Sequence, residues 1–247
     1  MRWGRLAVEN HRGVLVPRIL GPLLAATALA WTAASDLVGD VGPAAWTVTL
    51  GGLLVFAAGL VDDLASPGPR GLRGHLRALA GGTVTTGIVK AVVTIGAAAV
   101  VVARLRPPSL WVALGGIVLL SGCTNVWNGL DVRPGRAVKA FLPIGLGFVL
   151  AGDVWTAPAA LGLLLGALVA LPADLRELAM LGDGGSNLLG FVAGIGLYLV
   201  LPGWGVVLAA VVATALNVVA ETYTLSRAID RTPPLRWLDR LGRLPTG

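Results

Sequence analysis

The sequence is poor in the residues that support disulfide bonds, zinc sites and a water-exposed surface. It contains one cysteine, Cys123, and two histidines among 247 residues. This excludes an internal disulfide and leaves a structural zinc site unsupported. Only 13% of the residues are charged and 6% are aromatic, whereas soluble domains average about 25% charged residues. An ordinary soluble domain is therefore excluded.

Hydrophobic residues make up 55% of the chain, and its 35 glycines suit closely packed membrane helices. Apolar runs of roughly 15–22 residues predict membrane-spanning helices. We therefore expect an all-α fold, a polytopic transmembrane helix bundle of about eight spans. The predicted spans are residues 18–35, 43–61, 82–103, 109–126, 138–151, 157–172, 187–201 and 204–225.

The whole chain, 1–247, is predicted to be a single integral membrane domain, because no linker or repeat divides the sequence. We expect an N-terminal segment at 1–17, the helix bundle at 18–225 and a basic tail at 226–247. The first apolar run follows a basic start and could be a signal peptide. The seven runs after it favour a retained first helix.

The basic residues are divided unevenly between the two predicted membrane faces. Of the 19 Lys and Arg residues, which give a net charge of +6, only Arg104 and Arg106 fall on one face. The positive-inside rule makes the other face cytoplasmic, with both termini on that side of the cell membrane. Because the cations flank the spans, they indicate membrane lipid as a partner and not nucleic acid. A homodimer is left open.

Two basic segments have apolar residues at helical spacing. In 70–79, three arginines alternate with leucines, as in a helix that lies in the membrane interface. A plain positive flank on the next span is the alternative. The segment 227–243 is similar, is interrupted by a Pro-Pro step and carries Trp237 as a candidate interfacial anchor.

Three polar clusters follow long apolar runs, and all three are predicted to lie on the cytoplasmic face. Charged groups at a membrane boundary are costly unless they meet water, a cation or a metal. Together the clusters would form a site rich in carboxylate and amide oxygens. They are Asp62-Asp63, the series Asn125, Asn128 and Asp131, and Asp183 in the stretch 182–186.

The two aspartate clusters have functional and structural interpretations. Asp62 and Asp63 are adjacent carboxylates that repel each other, and such a pair suits a proton acceptor beside a cation-binding group. A helix cap or a solvated loop pair is the alternative. Asp183 lies between glycines that let the backbone approach a ligand closely, and the helix start after it could attract an anion. A tight turn capped by Asp183 is the alternative.

The asparagine series and four nearby cations complete the candidate site. Asn125, Asn128 and Asp131 are spaced by three residues, so they roughly share a helix face. Their oxygens could coordinate a hard cation such as Mg²⁺ or bind a base or sugar, or could only cap helix carbonyls. The cations could bind phosphate or could only set the topology. They are Lys90, inside the third predicted span, and Arg133, Arg136 and Lys139.

The motifs occur in the order Asp-Asp, Asn-x-x-Asn-x-x-Asp and Gly-Asp-x-Gly-Ser, each at a predicted cytoplasmic helix end. This order resembles the polytopic polyprenyl-phosphate phosphosugar transferases of the glycosyltransferase 4 type. Their relatives include phospho-N-acetylmuramoyl-pentapeptide transferase and the UDP-GlcNAc:undecaprenyl-phosphate GlcNAc-1-phosphate transferases. The resemblance covers about residues 10–225.

The resemblance implies Mg²⁺-dependent transfer of a sugar 1-phosphate from a UDP-sugar to polyprenyl (undecaprenyl) phosphate, with release of UMP, in cell-envelope glycan synthesis. It implies that Asp183 and Asn128 hold Mg²⁺. It also implies that Asp62 or Asp63 accepts a proton from the lipid phosphate or organises that phosphate.

By the same resemblance, Asn125 and Asp131 shape the nucleotide-sugar pocket. The phosphate-binding roles of the four cations are placed by charge and position alone. The His-rich late loop that recognises the sugar in the family has no counterpart, since both histidines lie in the first third of the chain. The identity of the sugar is therefore left open.

Two other functions fit parts of the sequence, and a third lacks its required pattern. A chain without that loop, and with fewer spans than the family, could be an inactive scaffold or regulator. A transporter could line a path with Lys90, Asn217 and Glu221, but the internal repeat typical of transporters is not found. A CDP-alcohol transferase would need a denser aspartate pattern on one segment.

Overall fold

The computed structural model describes residues 6–10, 12–39, 41–65, 68–69, 71–152, 156–222 and 225–244, without the side chains of residues 72, 221, 222 and 225. Its strands are β1 (Ala7–Glu9) and β2 (Leu15–Pro17). Its helices are α1 (Leu20–Gly39), α2 (Gly42–Leu64), α3 (Gly71–Ala80), α4 (Thr86–Arg104), α5 (Leu110–Leu130), α6 (Arg136–Ala151), α7 (Ala157–Leu175), α8 (Gly182–Val200), α9 (Gly203–Thr222), α10 (Leu225–Arg231) and α11 (Pro233–Arg240).

Each of the eight predicted spans corresponds to a helix. In the described part of the chain, seven helices are long and apolar enough to cross a membrane, namely α1, α2, α4, α5, α7, α8 and α9. The helix α6 matches the remaining predicted span, but its 16 residues extend only about 24 Å, less than the ~30 Å hydrocarbon core of a bilayer. The prediction of an all-α, multi-pass membrane protein is confirmed.

Successive long helices reverse direction, so they bring the three predicted clusters to one end of the bundle. Asp62 near the end of α2, Lys90 near the start of α4 and Asp183 at the start of α8 meet there. We refer to this end as the carboxylate end. Arg104 is the last residue of α4 and lies at the opposite end.

The largest differences from the predicted starts of the spans are at α8 and α4. The helix α8 begins at Gly182 rather than at residue 187, so the Gly-Asp-Gly-Gly-Ser stretch is the first turn of the helix and not a loop before it. The helix α4 begins at Thr86, because Thr85 caps it by accepting a hydrogen bond from the Ile88 N–H. Lys90 therefore lies about one turn from the start of its helix.

The helix α8 is the centre of the bundle, with 78% of its span buried, and it packs against α5, α2 and α1. Glycines let its first turn approach its neighbours closely. A Cβ on Gly59 of α2 would lie 2.7 Å from the backbone of Asp183, and one on Gly21 of α1 would lie 2.7 Å from the carbonyl oxygen of Leu181. Small residues allow such backbone contacts between membrane helices, and here they fix the position of Asp183.

Smaller elements cover the carboxylate end. The helix α3 is separated from α4 by residues 81–85, which favours the amphipathic helix over a plain flank, and its Leu76 is exposed. The tail is interrupted before Pro233, as predicted, and Trp237 is exposed on α11. Strands β1 and β2 pair antiparallel. This hairpin was not predicted, because its strands have three residues each and no clear alternation.

The close contact at Gly59 predicts that a side chain there separates α2 from α8. We expect Gly59→Leu to lower the free energy of unfolding by about 1–3 kcal/mol, because overpacking forces the backbones apart. Thermal unfolding in detergent measures this effect. Gly96→Leu is the matched control, since a Cβ on Gly96 would meet nothing within 4 Å. Equal stability of the two variants would contradict the packing described.

Candidate active site

Lys90 joins two of the predicted catalytic carboxylates. Its Nζ lies 2.7 Å from Oδ2 of Asp62 and also donates to Oδ2 of Asp183. The hydroxyl of Thr86, one turn earlier on α4, donates to the other carboxylate oxygen of Asp62. The Asp183 side chain is 32% exposed and that of Asp62 is 22% exposed, so both carboxylates are accessible to a ligand.

Asp63 has different surroundings from its neighbour in sequence. Its carboxylate accepts hydrogen bonds from the backbone N–H groups of Asp183, at 3.0 Å, and Gly184, at 3.1 Å. Arg18 forms an ion pair with Asp63 at 3.0 Å, and the Asp63 side chain is only 3% exposed. A carboxylate at a helix N-terminus satisfies free N–H groups and complements the helix dipole. Asp63 therefore holds the start of α8 in place.

Asn128 and Asp131, at the end of α5, also face the start of α8. The hydroxyl of Ser186 lies 3.3 Å from Oδ1 of Asn128 and 2.9 Å from the carbonyl oxygen of Gly182. Burial raises the pKa of Asp131 well above its ordinary value, and the nearby negative charges raise it further, against a hydrogen bond from the Gly182 N–H. These charges belong to Asp174, Asp183 and Asp63. Negative charge thus accumulates around Asp131.

Asn125 does not join this group. Its side-chain amide donates to Oδ1 of Asn217 on α9 at 2.8 Å, and Asn217 donates to the carbonyl oxygen of Gly122 at 3.0 Å. Three residues along a helix turn about 300°, which is about 60° less than a full turn. The side chains of Asp131, Asn128 and Asn125 therefore point in successively rotated directions, and that of Asn125 points toward α9. The side chain of Glu221, predicted to share a face with Asn217, lies outside the described residues.

Arg133 lines a cleft beside the carboxylate centre. The cleft encloses about 240 Å³ and lies between the β1–β2 hairpin, the loop after α5 and the loop after α7. Arg18, Asp131 and Asp174 also line it. Because Arg18 is paired with Asp63, the cleft adjoins the Asp183 site.

Arg136 and Lys139 instead hold the C-terminal tail. Arg136 is buried and pairs with both oxygens of Asp239 on α11, at 2.8 and 3.1 Å. Lys139 donates to the backbone carbonyl oxygens of Asp239, at 2.7 Å, and of two neighbouring tail residues. Arg243 pairs with Asp239 and also donates to the carbonyl oxygen of Pro134. Two of the predicted phosphate cations are thus engaged by the tail.

The donor set at the carboxylate end is of the kind that suits Mg²⁺, which prefers carboxylate, amide and water oxygens. In the described part of the chain, the carboxylates of Asp62, Asp63, Asp131, Asp174 and Asp183 lie at this end, and Lys90 and Arg18 form ion pairs with three of them. Among the described residues, no three His, Cys, Asp or Glu side chains are grouped so that they could hold a metal alone. Asp183 with the amide oxygen of Asn128 would thus need water or ligand oxygens to complete a site.

No protein-family model, curated protein or solved structure matches the chain. The order of the three motifs and the geometry of the carboxylate end are the observations that bear on its function.

The sequence did not single out several residues that the structure brings to this end. Arg18 resembles an ordinary positive flank of the first span, and Thr86 has no local signal. Asp174 lies at the end of an apolar run, where its carboxylate accepts from the Gly135 N–H at 2.9 Å. Its position after a long span, like that of Asp62, was the signal available in the sequence.

The tail contact generates a prediction about Asp239. Burial raises the pKa of Asp239, but the hydrogen bond and charge of Arg136 and the charge of Arg243 outweigh it, so this pKa lies below its ordinary value. Ionised Asp239 therefore stabilises the folded protein fully above its unfolded-state pKa, about 3.9. This stabilisation is lost as pH falls through the folded-state pKa of Asp239.

We expect Asp239→Asn to destabilise the protein by up to about 3–5 kcal/mol near pH 7, because Arg136 would be left buried without its partner. The difference from the unmodified protein should shrink below about pH 4. Thermal unfolding across pH measures both. Arg240→Gln, at an exposed neighbour, should have little effect. A pH-independent difference would refute the ionic role of Asp239.

Proposed function

We propose that the protein transfers a sugar 1-phosphate from a UDP-sugar to a polyprenyl phosphate and releases UMP. The observation that carries this proposal is the convergence of Asp62, Lys90 and Asp183 at one end of a membrane helix bundle. Phosphoryl transfer depends on positioning and on electrostatic stabilisation of the reacting phosphates. The accessible carboxylates of Asp62 and Asp183, with the ammonium group of Lys90 between them, supply both.

Asp62 is the better candidate of the pair for accepting a proton. It is more accessible than Asp63, and its partners Lys90 and Thr86 keep it on the side of the centre that faces Asp183. In the proposed reaction, an oxygen of the lipid phosphate attacks the sugar-linked phosphorus of the donor. The bond from that phosphorus to the oxygen of UMP breaks, and Asp62 takes the proton of the attacking phosphate.

Asp63 has a positioning role in this proposal, because its carboxylate is occupied by α8 and Arg18. Asp183 and Asn128 are the residues that would hold Mg²⁺. The ion would offset charge on the diphosphate of the donor. Lys90, which pairs with both Asp62 and Asp183, would supply positive charge to a phosphate oxygen bound at this centre.

A groove on the membrane-facing side supports a lipid substrate. It lies between α5 and α9, encloses about 590 Å³ and is almost entirely apolar. The groove is lined by Trp111, Leu114, Gly115, Val118, Val207, Ala210, Val211, Thr214, Ala215, Val218 and Val219. The Asn125–Asn217 pair lies near the same end of these helices as the carboxylates. A polyprenyl chain in the groove would thus run along α9 toward the end of the bundle that holds the carboxylates.

The charge distribution supports a location of this centre on the cytoplasmic face of the cell membrane. Arg104 and Arg106 belong to the opposite end, while the remaining basic residues belong to the carboxylate end in the predicted topology. By the positive-inside rule, that end faces the cytoplasm, where nucleotide sugars are made. The process that we propose is cell-envelope glycan synthesis.

The proposal predicts that Asp183 is required for turnover. With undecaprenyl phosphate and a panel of UDP-sugars, we expect Mg²⁺-dependent UMP release, and Asp183→Asn should lower its rate by at least about 10²-fold. Asp230→Asn, at an exposed carboxylate on α10, should retain the rate. Absence of UMP release from every donor, with well-folded protein, would reject the proposed function.

The different surroundings of Asp62 and Asp63 predict two different defects. We expect Asp62→Asn to lower kcat by about 10²–10⁴-fold, as for loss of a general base, and to leave the thermal midpoint nearly unchanged. Asp63→Asn should lower the free energy of unfolding by about 1.5–3 kcal/mol, because it weakens hydrogen bonds to a charged acceptor. Kinetics and thermal unfolding of both variants test this. A large kcat loss in Asp63→Asn without destabilisation would reverse the assignment.

A further inference from the structure

The cleft beside the carboxylate centre is not used by the chemistry proposed above. It is bounded on its inner side by Arg18, which is paired with Asp63, and by Asp131. Its outer side is formed by Glu9 and Asn10 at the tip of the hairpin and by Glu177 after α7. The cleft therefore extends from the neighbourhood of Asp183 toward the hairpin.

We propose that this cleft binds the sugar of the nucleotide-sugar donor, and that Glu9, Asn10 and Glu177 determine which sugar is accepted. The inference rests on the proposed function for the identity of the ligand. The volume of the cleft, the charges of the side chains that line it and the contacts that hold its wall in place support the inference independently.

The size of the cleft suits one part of a donor and not the whole of it. Its volume of about 240 Å³ lies below the roughly 300–1,000 Å³ of pockets that enclose a complete drug-sized ligand. A single sugar unit is the part of a UDP-sugar that is both compact and rich in hydroxyl groups. The diphosphate would then lie at the inner side, near Arg18.

The chemistry of the wall suits hydroxyl groups better than an anion. The described residues that line the cleft include four carboxyl groups, from Glu9, Asp131, Asp174 and Glu177, and two guanidinium groups, from Arg18 and Arg133. Carboxylates accept hydrogen bonds from hydroxyl donors, whereas an isolated anion would be repelled by the excess of negative charge. A sugar supplies several hydroxyl donors and no charge.

The outer wall is held in a fixed geometry before any ligand binds. Glu177 accepts from the Asn10 side-chain amide at 2.6 Å and pairs with Arg12 at 3.2 Å. The backbone N–H of Met180 donates to the carbonyl oxygen of Pro17 at 3.0 Å, which joins the loop after α7 to β2. Such preorganisation lowers the cost of ordering a binding wall.

Glu177 also has an unusual backbone conformation for its residue type. Its φ is +57°, the left-handed conformation that commonly follows a helix and is usually adopted by glycine. A glutamate at this position is strained, and such strain is found at functional sites where the surroundings hold the residue in place. The carboxylate of Glu177 is thus kept at the cleft at the expense of local backbone preference.

A comparison of UDP-sugar and UMP binding tests the inference, because UMP keeps the uridine and one phosphate but lacks the sugar 1-phosphate of the donor. We expect Glu9→Gln and Glu177→Gln to weaken binding of the preferred UDP-sugar about ten- to hundredfold and to leave UMP binding unchanged. UDP-N-acetylglucosamine, UDP-N-acetylgalactosamine and UDP-glucose are the donors to compare by titration calorimetry. In turnover, the same variants should raise KM more than they lower kcat and should alter the preference among donors.

The two variants distinguish an effect on sugar binding from an effect on the position of the hairpin. Glu177→Gln also weakens the contact with Arg12, whereas the Glu9 side chain is in no hydrogen bond or ion pair within the described part of the chain. Arg176→Gln is the matched control, since Arg176 is exposed, adjacent to Glu177 and absent from the cleft wall. It should bind both ligands as the unmodified protein does.

The outcomes for the cleft and for the proposed function are distinct. Equal weakening of UMP and UDP-sugar, no weakening of either, or no UDP-sugar binding by the unmodified protein would overturn the cleft assignment. Sugar-selective weakening without UMP release from any donor would support the cleft and reject the transferase. UMP release with unchanged donor preference in both variants would support the transferase and reject the cleft.

Discussion

The carboxylate of Asp63 joins three parts of the protein that are far apart in sequence. It is carried by α2, accepts from the first N–H groups of α8 and pairs with Arg18 at the end of the hairpin. A helix start inside a membrane bundle has few water molecules to satisfy its free N–H groups, so an acceptor from a neighbouring helix is needed. The position of Asp183 beside Lys90, and of Arg18 beside the cleft, depends on this contact.

Neighbouring residues of like charge perform different tasks because helical geometry separates their directions. Successive side chains on a helix point about 100° apart, so Asp63 is buried against α8 while Asp62 turns toward Lys90 on α4. Arg133, in the loop after α5, lines the cleft, whereas Arg136, at the start of α6, is buried against α11. Two adjacent residues of the carboxylate end therefore have different roles, since Asp63 holds α8 in place and Asp62 presents an accessible charge.

Run lengths and charge asymmetry were sufficient to predict the helix bundle and the meeting of Asp62 with Asp183, since an even number of spans returns the chain to one face. Local patterns could not predict contacts made across long separations, such as that of Arg136 with Asp239, 103 residues away. They also missed the hairpin, whose short strands are stabilised by contacts with the loop after α7. The side chain of Asn125 points toward Asn217 because of its rotation around the axis of α5. A spacing of three residues in the sequence does not reveal this partner.

The burial of α8 has a consequence for how the protein is made. This helix carries Asp183 and several glycines and is among the least apolar of the seven spans. A carboxylate and exposed glycine backbone both disfavour entry of an isolated helix into lipid. The helices that surround it, α1, α2 and α5, precede it in the chain. During synthesis α8 therefore reaches a membrane in which its binding surfaces are already present, and its insertion is coupled to its packing.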